Sequence, residues 1–260
     1  MSDSTAQFAA DVSRRIAAHA SNVGLQASAS AFLRDSIASS YSYNFAWLGR
    51  PIIQYPQDIV AVQELIWKFK PDLIIETGIA HGGSLIMSAS MLALLDYCDA
   101  LQAGTLLDPT KPARKVLGID IDIRPHNKAH IEAHPMANRI EMIQGSSIDP
   151  TIIAQVHARA TAAQRVLVCL DSNHSHEHVL AELEAYAPLT TVGSYCVVFD
   201  TVVENLTPEL LKDRPWRPGN SPMSAVRQYL KNHLEFATDT NIDRKLLISV
   251  APEGYLKRIC

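Results

Sequence analysis

The sequence predicts an α/β chain of the Rossmann-like, doubly wound kind: a mostly parallel seven-stranded sheet covered by helices, a C-terminal antiparallel hairpin and a helical N-terminal extension. Three observations predict it. Five short apolar runs between residues 73 and 200 alternate with stretches of helical periodicity. The runs are apolar throughout, as in strands buried on both faces, so the crossovers between them are right-handed and the sheet is parallel. The last third carries two further strand-like segments close together, which fit an antiparallel pair.

Taken in order, the spacing of Phe8, Val12, Ile16, Phe32 and Ile37 predicts two short amphipathic helices from about Thr5 to Ala38, an extension or oligomer arm. YSYNFAWLGRPIIQYPQD is rich in aromatics, Gly and Pro and reads as an ordered loop that covers something. Asp58 reads as the N-cap of a helix over IVAVQELIWKFK, ended by Pro71. This divides the chain into an N-terminal extension with a capping loop, 1–57, and a catalytic domain, 58–260. Within the latter, strands are expected over LIIE (73–76), VLGID (116–120), IEMIQG (140–145), VLVCLD (166–171) and YCVVFD (195–200). Helices follow over SLIMSASMLALLDY, from Asn127 to Ala133, after Asp149 and over HEHVLAELEAYAPL. A Pro-rich loop, a helix from about Pro222 to Asn232, and strands near LEFAT and KLLISV complete the chain. No internal repeat or low-complexity segment interrupts it.

With 260 residues, 47% of them hydrophobic, the chain is long enough to bury one sizeable core. A net charge of −4 without runs of Lys or Arg provides no electrostatic footprint for nucleic acid or an anionic membrane. Cys98, Cys169, Cys196 and Cys260 are widely spaced, and two lie in apolar runs, so reduced thiols in the cytoplasm are expected. The polar N-terminus has no signal-peptide layout, and no stretch reads as apolar for long enough to span a bilayer. The apolar N-terminal arm points to a homo-oligomer.

In an open α/β sheet the ligand sits beyond the carboxyl ends of the strands, where strand order reverses. Three such ends are informative. IIETGIAHGGS places Glu76 at a strand end before a Gly-rich turn that opens a helix. The spacing does not fit G-x-G-x-x-G, and a carboxylate there repels a pyrophosphate but suits the ammonium of S-adenosylmethionine. Gly78, His81, Gly82 and Ser84 of this turn are placed around that cofactor. Asp120, ending the next strand, offers hydrogen-bond acceptors to both ribose hydroxyls; the plainer alternative is a solvated loop acid. Ser146 and Ser147 stand near an adenine edge, although Ser and Asp are also ordinary helix caps. Acid-Gly-Gly, acid, then small polar residues over three successive strand ends favours S-adenosylmethionine over a nicotinamide.

The next two strands end in Asp171 and Asp200. Converging carboxylates repel unless a cation or a shared proton lies between them, and a hard ion such as Mg²⁺ suits oxygen ligands. Asp171 thereby serves metal and cofactor together, and His174, three residues on, is the candidate general base. The alternatives are a capping aspartate and a solvated histidine. His174, His176 and His178 form H-x-H-x-H, which raises a zinc-hydrolase reading, but alternate positions on a helix do not share a face. His176 and His178 are expected in the first turn of the next helix.

ETGIAHGGSLI, GIDIDIRPHNKAHIEAHP, LDSNHSHEHVLAELEAYAPL and GNSP followed by LLISVAPEGYLKR resemble the cephalosporin hydroxylase and rhamnosyl O-methyltransferase family. The resemblance runs from about Asn44 to the C-terminus. It implies a methyltransferase fold, S-adenosylmethionine at Glu76, Gly78 and Asp120, and Mg²⁺ at the carboxylates of the fourth and fifth strand ends. A metal aspartate followed three positions later by a basic residue is matched by Asp171 and His174. Some relatives carry an acidic pair at the fifth strand end, where this chain has Phe199 before Asp200; Thr201, Glu204 or water must then complete the metal shell. WLGRPIIQYPQD also resembles the family and lines the cofactor mouth, or else Trp47 and Tyr55 are core aromatics.

The reading is therefore Mg²⁺-dependent O-methyl transfer to a hydroxyl of a sugar or small natural product. The alternatives are a zinc hydrolase and a cofactor-binding subunit without catalysis. The loop from about Asn205 to Ser221, with Arg214, Trp216 and Arg217, is a lid over the acceptor or an oligomer contact.

Overall fold

Parallel pairing of five apolar segments builds the centre of the molecule in the computed structural model, which describes residues 2–260. The N-terminal extension forms α1 (Ser2–His19) and α2 (Val23–Ala38). Asn22 caps α2 by accepting from the Leu25 N–H at 3.0 Å.

The aromatic segment that follows, expected as an ordered loop, contains a hairpin: β1 (Phe45–Trp47) pairs antiparallel with β2 (Arg50–Ile52). Its turn places Leu48 at φ 44° and Gly49 at φ 84°. Two successive positive φ values match the twist of a two-residue hairpin, and Leu at the first position hides the usual Asn-Gly or Asp-Gly signal.

Helix α3 (Pro56–Phe69) starts three residues earlier than expected, with Tyr55 rather than Asp58 at the N-cap position and Pro56 in a first turn that needs no N–H from it. Asp58 is therefore not a cap. It is fully buried and accepts hydrogen bonds from Ser249 Oγ at 2.6 Å, Tyr255 Oη at 2.8 Å and the Val250 N–H at 2.9 Å. Lys70 leaves the helix at φ 51°, ahead of Pro71.

Then come β3 (Leu73–Thr77), α4 (Gly83–Ala103), β4 (Lys115–Asp120), α5 (Pro125–Glu132), β5 (Ile140–Gln144) and α6 (Pro150–Ala160). They are followed by β6 (Val166–Leu170), α7 (His176–Tyr186), β7 (Tyr195–Val198), α8 (Pro222–Tyr229), β8 (Phe236–Thr238), α9 (Thr240–Leu246) and β9 (Tyr255–Arg258). The large sheet has the order β5-β4-β3-β6-β7-β9-β8, parallel from β5 to β7 and antiparallel at β9 and β8. Strand order reverses between β3 and β6, so a cleft opens there.

The antiparallel ending is present, with one correction. KLLISV is not a strand: its start completes α9, and the second strand is Tyr255–Arg258, inserted between β7 and β8. The connection is thus helical and longer than expected.

Side chains alternate between two cores. Ile74, Leu167 and Val197 pack under α3 and α4, whereas Ile75, Val168 and Cys196 pack under α6, α7 and α8. The membrane expectation also needs correction, because α4 is long and apolar enough to cross a bilayer by composition. Its Leu85, Ile86, Ala89, Leu92 and Leu95 are instead fully buried against the sheet, as in a core helix.

Candidate active site

At the reversal point the backbone of β6 runs against β3: the Asp171 N–H donates to Thr77 O at 2.9 Å. Gly78, the next residue of β3's turn, has φ 88°, and a Cβ there would lie 2.1 Å from Asp171 O. Only glycine meets both demands, so the turn and Asp171 are locked side by side. The hairpin closes over the same turn, with Arg50 Nε donating to His81 O at 3.0 Å.

Glu76, Cys169 and Asp171 project from the sheet face that α3 covers, beside Asp58 and Phe199. Glu76 is buried and accepts from Ser84 Oγ. Burial pushes its carboxyl up to about 7 against the opposing effect of the Ser84 hydrogen bond. Asp171, which accepts from Gln54 Nε2 at 2.9 Å, is pushed well above the carboxylate range, first by burial and then by the negative charges of Asp200 and Glu76. Such a cluster gains from a cation.

Asp200 follows β7 at φ 54° and turns its carboxylate toward Asp171. One ligand atom each from Asp171, His174 and Asp200 lies within 4.8 Å of the others, a spacing one divalent ion can bridge. His174 Nε2 is 3.1 Å from Asp200 Oδ2. Thr201 does not join them as expected: it is buried and its hydroxyl donates to Pro252 O at 2.6 Å. Glu204 accepts from the Gly219 N–H at 3.0 Å and from Ser221 Oγ, anchoring the covering loop. The third potential ligand atom is that of His174.

A cleft of about 490 Å³ opens above this cluster. Gly78, His81, Ser84, Asp171, His174 and Asp200 all line it. Glu76, Asp120, Gly82, Ser146 and Ser147 do not, Glu76 facing a small separate pocket with Ser84 and Asp171. Asp120 accepts from the Ile79 N–H at 2.8 Å and the Ala80 N–H at 3.2 Å, bracing the turn from behind. Ser147 is buried with its Oγ 3.0 Å from His178 Nε2, and His178 also meets Ser172 Oγ at 3.2 Å.

The three histidines part company. His176 opens α7 and points its ring to Ser224 and Gln228, at 2.7 and 3.0 Å, while His178 faces the two serines. They do not converge on one ion with His174.

Ser42, Tyr43 and Gln54 line the cleft; all three lie in the aromatic segment read as covering something, and Gln54 within WLGRPIIQYPQD, but none was singled out individually. Tyr55 is a buried core aromatic that also touches it, bonded to Ser36 Oγ at 2.7 Å, and Trp47 packs on the core with Nε1 donating to Ser90 at 2.9 Å. From the covering loop, Trp216 stands perpendicular to His174 at 4.8 Å between ring centroids, and the Arg214 guanidinium lies 5.4 Å from Trp216 on the cleft rim.

Residues 39–259 match the family described as rhamnosyl O-methyltransferase/CmcI. A rhamnosyl O-methyltransferase of Mycobacterium leprae is 28% identical over 239 residues, covering 86% of this chain and 91% of that protein. One of Mycobacterium bovis is 28% identical over 208 residues, covering 77% and 73%. The CmcI apo-structure superposes with a TM-score of 0.55 at 19% identity over 84% of this chain and 77% of CmcI. A CmcI structure with SAH gives a TM-score of 0.50 at 15% identity over 86% and 90%. Both share the fold.

Proposed function

The chain belongs to the rhamnosyl O-methyltransferase/CmcI family, and we propose on that premise that it transfers a methyl group from S-adenosylmethionine to a hydroxyl of a sugar or small natural product, with Mg²⁺ as cofactor. The observation that carries the reading is the convergence of Asp171, His174 and Asp200 in a cleft lined by the Gly78 turn, with Glu76 facing a small pocket that shares Ser84 and Asp171 with it. The cleft has room for a nucleoside and a sugar ring together.

When bound, the cofactor supplies an electrophilic methyl on a sulfonium, and Mg²⁺ supplies a Lewis acid for the acceptor oxygen. Glu76 faces the amino group of the cofactor, Gly78 lets the backbone approach it, and His81, Gly82 and Ser84 complete the turn around it. Asp120 acts on the cofactor through the turn it braces rather than from the cleft wall. Asp171 and Asp200 hold the ion. His174, held by its Nε2–H donating to Asp200 Oδ2, would take the proton of the acceptor hydroxyl on its other ring nitrogen and leave the ion to the carboxylates. As the C–O bond forms and the S–C bond breaks, that proton leaves the oxygen, so charge balances.

The homology to rhamnosyl O-methyltransferases favours a deoxysugar acceptor, with Trp216 as a platform for a sugar face. Residues 1–57 act as an extension and 58–260 as the catalytic domain; the exposed Phe8 and Phe32 of the extension support self-association. The four free cysteines fit the reducing cytoplasm.

The test is S-adenosylhomocysteine formation from S-adenosylmethionine with rhamnosides as acceptors, with Mg²⁺ or with excess EDTA. Turnover that survives EDTA removes the metal role. No thermal stabilisation by millimolar S-adenosylmethionine removes the cofactor itself.

A further inference from the structure

We infer that Asp58, buried outside the cleft on α3, is a positioning residue for the metal carboxylate Asp200; the inference rests on the metal reading above. The link is a chain of hydrogen bonds through the segment between α9 and β9. Asp58 accepts from Ser249 Oγ, Val250 N–H and Tyr255 Oη at 2.6–2.9 Å, and Ser249 Oγ in turn accepts from the Ala251 N–H at 2.9 Å. The segment so held grips the backbone on both sides of Asp200. Gly254 O accepts from the Val198 N–H at 2.8 Å, Pro252 O from Thr201 Oγ1 at 2.6 Å, and Val250 O from the Val202 N–H at 3.1 Å.

The contact is tight, since a Cβ on Gly254 would lie 2.1 Å from Val198 O. The grip is needed because Asp200 sits at φ 54°, a left-handed backbone that a non-glycine residue adopts only when its surroundings impose it. A fully buried aspartate satisfied by three donors of one distant segment is a costly way to anchor a loop, and of the residues by which that loop lines the cleft, Asp200, Val202, Val203 and Leu206, only Asp200 carries a charge. Residues behind a metal ligand commonly set its affinity this way.

The experiment is Mn²⁺ titration of the full chain by calorimetry, with S-adenosylhomocysteine titrated in parallel. Asp58→Asn is expected to raise the Mn²⁺ Kd about tenfold or more, with Ser249→Ala and Tyr255→Phe each raising it by a smaller factor. The S-adenosylhomocysteine Kd should stay within about twofold, because its site hangs on the β3 turn. A lowered Tm with an unchanged Mn²⁺ Kd would make Asp58 a purely structural anchor and overturn the inference. If Asp58→Asn does not fold, an unchanged Kd in both Ser249→Ala and Tyr255→Phe overturns it equally. Asp171→Asn separates the two levels: if it binds Mn²⁺ as the wild type does, or the wild type binds none, the metal reading itself fails.

Discussion

His174 Nε2 lies 3.1 Å from Asp200 Oδ2 while the His174 ring meets the edge of Trp216 at 4.8 Å. The imidazole is thereby fixed between the Asp200 carboxylate and the covering loop. His174→Ala should lower kcat by roughly 10²–10⁴-fold, the range for loss of a general base. A variant that turns over at the wild-type rate would assign the proton to another group.

Asp171 is the carboxylate common to the Asp171, His174 and Asp200 group and the contact with the Gly78 turn. Asp171→Asn keeps the shape and removes the charge, so turnover should fall by about 10²-fold or more at saturating cofactor, with added Mg²⁺ giving little recovery. Rates within a few fold of wild type would exclude metal assistance through this residue.

Gly78→Ala demands a left-handed alanine and a Cβ 2.1 Å from Asp171 O. Backbone strain and overpacking together predict a loss of about 2–5 kcal/mol, read as a lower Tm or denaturant midpoint. Cofactor affinity should fall with it, as the turn and Asp171 must separate. A variant as stable as the wild type would show that the turn is looser than described.

Glu76 and Asp58 hold protons more tightly in the fold than in the unfolded chain, with burial raising them to about 7 and about 6. Unfolded, they ionise near 4, so the native state binds more protons through the intervening range. Their contribution to stability is complete below about pH 4 and is lost as pH rises through about 6 to 7. The Tm of the ligand-free chain should therefore decline from about pH 5 to pH 8, and Mg²⁺ with S-adenosylhomocysteine should flatten the decline by favouring the ionised carboxylates. A Tm that rises across this window would contradict the burial of both groups.

Trp216 lines the cleft beside His174, where the proposed mechanism would seat the acceptor. Trp216→Ala should raise the acceptor KM about tenfold while leaving the S-adenosylhomocysteine Kd nearly unchanged, because one aromatic face against a ligand contributes about 1 kcal/mol or somewhat more. An equal effect on both constants would place the loop over the cofactor instead.

Strand-end acids and the alternation of apolar runs were legible from the chain because each depends on local order: a strand of four or five apolar residues, then a polar tip. Glu76, Asp171 and Asp200 were found that way. The hairpin at 45–52 was not, since Leu48-Gly49 lacks the usual turn pair, and neither was the burial of Asp58, whose partners lie nearly two hundred residues further along.

By itself the sequence determined the parallel sheet, the acids at its carboxyl edge and the glycines of the first turn, all of which follow from periodicity and backbone freedom over a few residues. Only the tertiary structure decided which acids converge. It turned Asp120 and Ser147 toward their own scaffold, gave the third potential ligand atom to His174 rather than Thr201, and set Asp58 behind Asp200. Those outcomes depend on contacts between segments far apart in the chain, where burial leaves each polar group to find whichever partner the packing brings near.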